Sequence, residues 1–376
     1  MSYEMSGLDM HYLVKELQQA VGARVDKIYN PKKKELLVQL FLTGLGKKII
    51  RFEAPGFMYM TDFKGEQPEQ PSGFCTLLRK YLENSRLASI AQLGFERIIE
   101  LGFEANEGKF KLVFELFSKG NIVFCREDYT IIVPVENQEW KGRSVRPRVK
   151  YTYPTKEFNF IEMGEKDFGE IAEKTEKSNK SIVKLLAVEI GLGGTYSEEL
   201  CLLAGVQKEK LNLDADDIKK LLAAKDKLVA GKHSPRIYFS RGTIKTISPI
   251  ELSTLDGLEA KEFGSYNEAL DYAFTNELVK DTDEKKLSKH QGKIDRLKNI
   301  ISKQETYLAE LEKEIAENSK KGEAVYSNYQ MITEIVNELN KARKKYSLKE
   351  IKEKLAGHKI VKEIKEKEKV AVLDID

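Results

Sequence analysis

The sequence has 376 residues, 41% hydrophobic and 33% charged, with 63 basic side chains against 60 acidic ones and a net charge of +3. That length exceeds one ordinary core, so two or three units are expected, and the charged share points to long solvated helices. The near balance of charge excludes a histone-like polycation, so any nucleic-acid site must be a local patch.

In chain order, Leu8, Tyr12, Leu13, Leu17 and Val21 recur at helical spacing and predict a helix over 8–21. Strand patterns follow at Arg24–Tyr29, Glu35–Leu42, Lys48–Phe52 and Gly56–Thr61, with a turn at Asn30-Pro31-Lys32-Lys33. Ser72 is placed to cap a helix carrying Phe74, Leu77, Leu78, Tyr81 and Leu82. Further strands are expected at Leu87–Leu93, Arg97–Phe103, Phe110–Phe117, Asn121–Cys125 and Thr130–Val133, and 134–155 reads as irregular. Residues 161–230 read as all-helical, 235–277 as two strands and a helix over Tyr266–Phe274.

From Lys286 to Tyr346 one heptad frame runs through nine repeats. Its seam holds Ile294, Leu297, Ile301, Leu308, Leu311, Ile315, Val325, Val336 and Leu339, the pattern of a coiled coil roughly 90 Å long. Gly322 is the expected weak point of that arm. A short helix over Leu348–Leu355 and a hairpin of Lys359–Ile364 and Val370–Ile375 close the sequence. The fold class is therefore α+β. The expected divisions are 1–160 as a mixed domain, 161–232 as a helix-hairpin-helix domain and 233–280 packing back on the first. Residues 281–346 form the arm and 347–376 open a small domain at its tip.

Four groups could carry function. Gly191-Leu192-Gly193-Gly194 lies between two helical stretches, and such glycines let backbone N–H groups at the second helix face a phosphate. A tight ligand-free turn is the even-odds alternative. Glu96 and Arg97 sit where a loop meets a strand and, by alternation, face opposite sides. Arg79, Lys80 and Arg86, with Phe74 and Tyr81 nearby, form a basic and aromatic patch able to grip phosphate and stack bases, although a solvated helix end offers the same residues. Asp9 stands near a helix N-terminus, where a carboxylate complements the dipole. Cys75, Cys125 and Cys201 are scattered and no CxxC or Cys/His cluster occurs, so no metal and no cofactor is expected and a reduced compartment fits. Met1-Ser2-Tyr3-Glu4-Met5 is no signal peptide and no apolar run reaches the roughly 18 residues that span a bilayer, so a cytoplasmic protein without membrane contact is expected. No GxSxG, P-loop, HExxH or GxGxxG motif speaks for a common enzyme class.

Together, Ser6-Gly7-Leu8-Asp9, Gly73-Phe74-Cys75-Thr76-Leu77-Leu78-Arg79-Lys80-Tyr81-Leu82, Gln92-Leu93-Gly94-Phe95-Glu96-Arg97-Ile98 and Lys119-Gly120-Asn121-Ile122-Val123-Phe124 resemble the NFACT-N domain. It is the domain of the NEMF/RqcH proteins of ribosome-associated quality control, some labelled fibronectin-binding protein A, and an archaeal or other cytoplasmic member is expected. The resemblance implies a non-enzymatic factor. It would bind tRNA and the large ribosomal subunit holding a nascent peptidyl-tRNA. It would recruit aminoacyl-tRNA for template-free C-terminal tailing with alanine, while the ribosome supplies the chemistry. The family's N-terminal Asp matches Asp9, and its Asp-Arg pair falls on Glu96-Arg97, where Glu keeps the charge on a side chain one methylene longer. The implied RNA-binding set is Asp9, Arg79, Lys80, Arg86, Glu96, Arg97, Gly191, Gly193 and Gly194. The family continues with a returning arm helix and an NFACT-R domain, so a shortened chain is expected. The uncovered seam would then be met by a second copy as a homodimer contact, or fray beyond Gly322.

The first two domains also resemble formamidopyrimidine-DNA glycosylases. Those enzymes use a proline after the initiator Met as nucleophile, whereas this sequence has Ser2 and Tyr3 and no zinc finger, which disfavours DNA repair. A fibronectin-binding adhesin is the third reading, disfavoured by the absent signal.

Overall fold

The computed structural model describes the backbone of residues 3–140, 142–154, 157–365 and 368–375, and side chains in the same ranges except 280–292. The chain divides into two units, Met1–Glu284 and Lys285–Asp376.

Helix α1 (Gly7–Leu17) starts at a capping box: the Asp9 N–H donates to Ser6 Oγ at 3.2 Å and the Ser6 N–H donates to Asp9 Oδ2 at 2.7 Å. Strands β1 (Arg24–Tyr29), β2 (Glu35–Leu42), β3 (Gly46–Glu53) and β4 (Phe57–Thr61) form an antiparallel meander. Helix α2 (Gly73–Leu82) follows, capped by Ser72, whose Oγ accepts the Cys75 N–H at 3.1 Å. A second meander comprises β5 (Arg86–Gln92), β6 (Ile98–Ala105), β7 (Gly108–Glu115), β8 (Asn121–Arg126) and β9 (Ile131–Pro134).

The two meanders join as one nine-stranded sheet in the order β4-β3-β2-β1-β5-β6-β7-β8-β9. Only the pair Arg24–Arg86 bridges β1 and β5. The sheet curls about that seam until Phe52 of β3 meets Phe114 of β7, ring centroids 4.3 Å apart. Its inner face takes the alternating apolar residues Leu36, Val38, Leu40 and Leu42, and their counterparts on β6–β8, into one core with Met10, Leu13 and Leu17 of α1.

A second core lies in α3 (Glu165–Ser178), α4 (Ile182–Leu185), a π-helical turn over Leu186–Ile190, α5 (Gly193–Ala204) and α6 (Ala215–Ala230). Leu8 and Tyr12 of α1 and Phe95 enter this core too, so one helix serves both. Between the two cores in sequence, the hairpin β10 (Gln138–Trp140) and β11 (Arg143–Val145) occupies a segment whose prolines predicted no regular structure. It belongs to a strap across the outer face of β6–β8. There Val145 and Tyr151 pack on Ile98, Val113 and Val123, and Glu115 accepts from Tyr151 Oη at 2.7 Å and from Arg143. Strands β12 (Arg236–Ser240), β13 (Thr243–Ser248) and β14 (Glu259–Glu262) make a small sheet whose Ile237 and Ile247 join the first core and whose Tyr238 joins the second. The sequence reading missed β14 because all four of its residues are exposed, leaving no alternation to see.

The helix expected over Tyr266–Phe274 is the start of α7 (Tyr266–Ser327), since no Gly or Pro interrupts 275–285. Its base is anchored in the first unit. Glu16 accepts the N–H groups of Tyr266 and Asn267, both at 2.7 Å, and His233 Nε2 lies 2.9 Å from the same carboxylate. Asn267 exchanges two hydrogen bonds with the Met60 backbone on edge strand β4, and Phe274 stacks on Phe57 at 3.8 Å.

In the second unit α7 runs past Gly322 without fraying, contrary to expectation. The break comes at Asn328, where the backbone leaves helical geometry (φ −105°, ψ 18°) and the side-chain amide donates to the Ala324 carbonyl at 3.0 Å. An Asn side chain that competes for a helix carbonyl loosens the turn, which Gly322, with open space around it, does not do. Helix α8 (Tyr329–Arg343), α9 (Leu348–Lys354) and the hairpin β15 (Val361–Lys365) and β16 (Val370–Leu373) enclose a small core of Ile351, Val361 and Ile364, packed by Ile335, Leu339 and Ala342. The helix expected over 281–346 is thus divided at Asn328, and in its second part Ile335, Leu339 and Ala342 pack on the small core. Ile294, Leu297, Ile301, Leu308 and Ile315 are 45–67% exposed along α7.

Replacing Glu16 with Ala orphans two helix N–H groups at the base of α7. The expected cost is about 1–2 kcal/mol in urea-induced unfolding of the first unit, with no change in the burial of Phe274.

Candidate nucleic-acid interface

Three of the four groups singled out in the sequence meet at one end of the sheet. The N-terminus of α1 touches the 94–97 loop so closely that a Cβ on Gly7 would lie 2.6 Å from the Phe95 carbonyl oxygen. Gln92 braces the loop, its amide donating to the carbonyls of Gly7 (2.8 Å) and Glu96 (3.0 Å). Gly193 stands on the other side, where an added Cβ would sit 3.7 Å from the Ser6 Cβ. Gly191 and Gly193 have φ of +81° and +77°, which only glycine adopts at low cost, and they reverse the chain into α5. No side chain caps α5, so its first amides remain donors for an anion beside the α1 terminus. Gly194 is exposed in that first turn.

Asp9 is not a surface contact. It is 4% exposed, and its second carboxylate oxygen accepts the Tyr196 hydroxyl from α5. Tyr196 also meets Ser248 Oγ at 3.3 Å, and Tyr3 and Tyr266 form a neighbouring hydroxyl pair at 2.9 Å. Burial raises the Asp9 carboxyl above its ordinary range, and the bonds from Tyr196 and Ser6 work against that shift. Asp9 thus ties α1 to α5. Arg97 is a quarter exposed, with Nη1 2.8 Å from Glu4 Oε2. Glu96 lines a cleft of about 560 Å³ with Gly94, Phe95, Glu157, Glu162 and Asp167. The carboxylates make this cleft hostile to phosphate.

The group Arg79, Lys80 and Arg86 lies elsewhere. Arg86 starts β5 and Gln92 ends it, about 20 Å along the strand. Arg79 donates from Nε to the Ile28 carbonyl at 2.7 Å and sits 3.6 Å from Glu83, so its guanidinium holds α2 to β1. The Tyr81 ring packs on Phe110 and Phe124 at 5.2 and 5.7 Å. Lys80 and Arg86 are exposed. Sequence reasoning missed Tyr196, Glu4 and the wall of the cleft formed by Tyr153, Pro154 and residues of 157–163. Tyr196 directly follows the glycine hairpin, which was the available signal; Glu4 and the wall join the site only through long-range packing.

His11 on α1 buries Nε2 without a partner among the described residues, and burial followed by the charge of Lys15 lowers its pKa to about 4. The unfolded ring binds its proton near 6.5 and the folded ring only near 4, so stability falls as pH drops through that window. His11→Gln should flatten the melting temperature between those pH values, removing about 1 kcal/mol of dependence for this partly buried group. Gly7→Ala should cost about 1–3 kcal/mol by displacing the Phe95 carbonyl, and Tyr196→Phe about 1–3 kcal/mol by leaving the buried Asp9 short of a donor. Thermal unfolding measures both.

The family described as "NFACT N-terminal and middle domains" matches residues 6–370. The archaeal Rqc2 homolog aRqcH of Methanocaldococcus jannaschii is 33% identical over 97% of this chain and 55% of its own. The human ribosome quality control complex subunit NEMF is 23% identical over 91% of this chain and 34% of its own. The chain thus spans about half the length or less of these curated relatives. Among solved structures, the N-terminal part of the fibronectin/fibrinogen-binding protein of Streptococcus suis has the same fold, with a TM-score of 0.58 at 21% identity, covering 73% of this chain and all of that one. With the match spanning nearly its whole length, this chain belongs to the family of NFACT N-terminal and middle domains.

Proposed function

We propose that this chain is the tRNA- and ribosome-binding portion of a ribosome quality control factor, acting in the cytoplasm and not itself an enzyme. The observation that carries the reading is the meeting of Arg97, the uncapped first turn of α5 and the buried Asp9 at one end of the sheet. One relative, human NEMF, is named a ribosome quality control complex subunit, and that of Methanocaldococcus jannaschii is named an archaeal Rqc2 homolog. In this reading Arg97 and the amides of Gly193 and Gly194 contact tRNA phosphates, with Gly191 setting the turn. Glu96 shapes the adjoining cleft, Asp9 positions α5, and Arg79, Lys80 and Arg86 belong to a separate basic face. The partners are tRNA and a large ribosomal subunit carrying a nascent peptidyl-tRNA. Recruitment of aminoacyl-tRNA for alanine tailing would follow, with peptidyl transfer left to the ribosome. The exposed seam of α7 would take a second helix, a homodimer contact when that helix comes from another copy.

Two features distinguish this from DNA repair or cell adhesion. The likeness to fibronectin- and fibrinogen-binding proteins at 21% identity carries the fold alone. Asp9 and Tyr196 are sealed from solvent, so neither serves as an exposed nucleophile.

The test is tRNA binding followed by anisotropy across a salt series. Arg97→Glu should weaken binding about tenfold and lower the slope of log affinity against log salt by about one. No measurable tRNA affinity of the parent chain at low salt would sink the proposal.

A further inference from the structure

The outer face of the sheet is covered at both flanks and open between them. Over β3, Arg51 is 2% exposed and donates from Nη2 to the Lys64 carbonyl at 3.0 Å, under the 62–72 segment. Over β6–β8 lies the strap that ends in Tyr151. At the far end of the strands, where β1 crosses β5, nothing covers the sheet among the described residues. The register there puts Lys47, Phe41, Arg24, Arg86, Glu104 and Lys109 directly opposite one another in one row across six strands.

Three properties of that row are unusual. Phe41 is 52% exposed on a strand whose other apolar residues are buried, and Leu45, at the β2–β3 turn beside it, is 55% exposed. Arg24 and Arg86 are directly paired like charges, an arrangement that destabilises a sheet. Neither has an ion pair among the described residues, because the nearby carboxylates are already taken. Asp26 binds Lys47 at 2.8 Å and Glu104 binds Lys109 at 3.5 Å. The row therefore presents two unneutralised guanidinium groups beside a bare aromatic ring.

We propose that this face is a docking platform for a single-stranded segment of RNA. An unpaired base stacks on Phe41 and its flanking phosphates bridge Arg24 and Arg86. Guanidinium groups match phosphate geometry in two-point contacts, and a phosphate between them removes the repulsion of the pair. A base supplies the flat partner that an exposed Phe lacks in water. A duplex hides its bases and offers Phe41 nothing, so the platform selects unpaired RNA. The platform is about 20 Å from the α1 and α5 termini along β5, far enough to be a second contact. It rests on the RNA-binding reading above but is separable from it.

The experiment measures binding of the full chain to a labelled oligouridylate of about ten nucleotides, a duplex RNA of equal length, tRNA, and vesicles of phosphatidylglycerol with phosphatidylcholine. Phe41→Ala should weaken oligouridylate binding about tenfold, with Phe41→Trp within twofold of the parent. Arg24→Ser with Arg86→Ser should lose about tenfold and reduce the salt slope by about 1.4, the value for two phosphates on a single strand. Unchanged melting temperatures for these exposed positions establish that the variants are folded. Variants that bind oligouridylate within twofold of the parent overturn the platform. So does Phe41-dependent binding to vesicles with none to oligouridylate. A parent that binds oligouridylate through Phe41 but not tRNA keeps the platform and ends the tRNA proposal. A parent that binds tRNA, with oligouridylate binding indifferent to Phe41, does the reverse.

Discussion

A carboxylate taken out of water must find donors, and Asp9 finds them on two separate segments. Ser6 supplies one from the turn before α1, and Tyr196 supplies another from α5, nearly two hundred residues further along. Without Tyr196, Asp9 would be a buried carboxyl short of a donor, which costs more than the bond itself is worth. The bond therefore dictates where the glycine hairpin stands relative to the sheet. That placement sets Gly193 against Ser6 and the first turn of α5 beside the α1 terminus, while Arg97 pairs with Glu4 just before that terminus.

The same economy runs through α1. Its two faces feed two cores, Met10, Leu13 and Leu17 on one side and Leu8 and Tyr12 on the other. Its last turn carries Glu16, which caps the first turn of α7. A helix of eleven residues thus touches the sheet, the helical domain and the base of the long helix. Asp9 and Tyr196, buried and bonded to each other, hold α1 against α5, whereas Arg97 lies a quarter exposed beside them in the proposed interface.

Strand and helix positions were legible because their signals are local. Alternation, caps and turn glycines placed the nine strands of the large sheet within two residues, and Ser72 caps α2 as expected, while the cap of α1 by Ser6 went unread. The misreadings share a cause. Strand β14 has no buried side and exists only by pairing with β12, and the strap is held through Arg143, Tyr151 and Tyr153 by buried Glu115 and Glu100 on distant strands. Gly322 looked like the weak point of the arm because propensity is local, but the helix yields at Asn328, where a side chain competes for a carbonyl.

For the site the division is sharper. Residue chemistry alone identified Asp9, Glu96, Arg97 and the glycine hairpin as candidates, and their motifs also carried the family resemblance. Sequence could not say that Asp9 faces inward, that Arg79 holds the Ile28 carbonyl, or that Tyr81 lies against Phe110. Nor could it find Phe41, which in sequence is one more apolar residue in a strand. Alternation tells which residues share a face of a strand; whether that face is covered depends on segments arriving from elsewhere in the chain, and only the tertiary structure decides it.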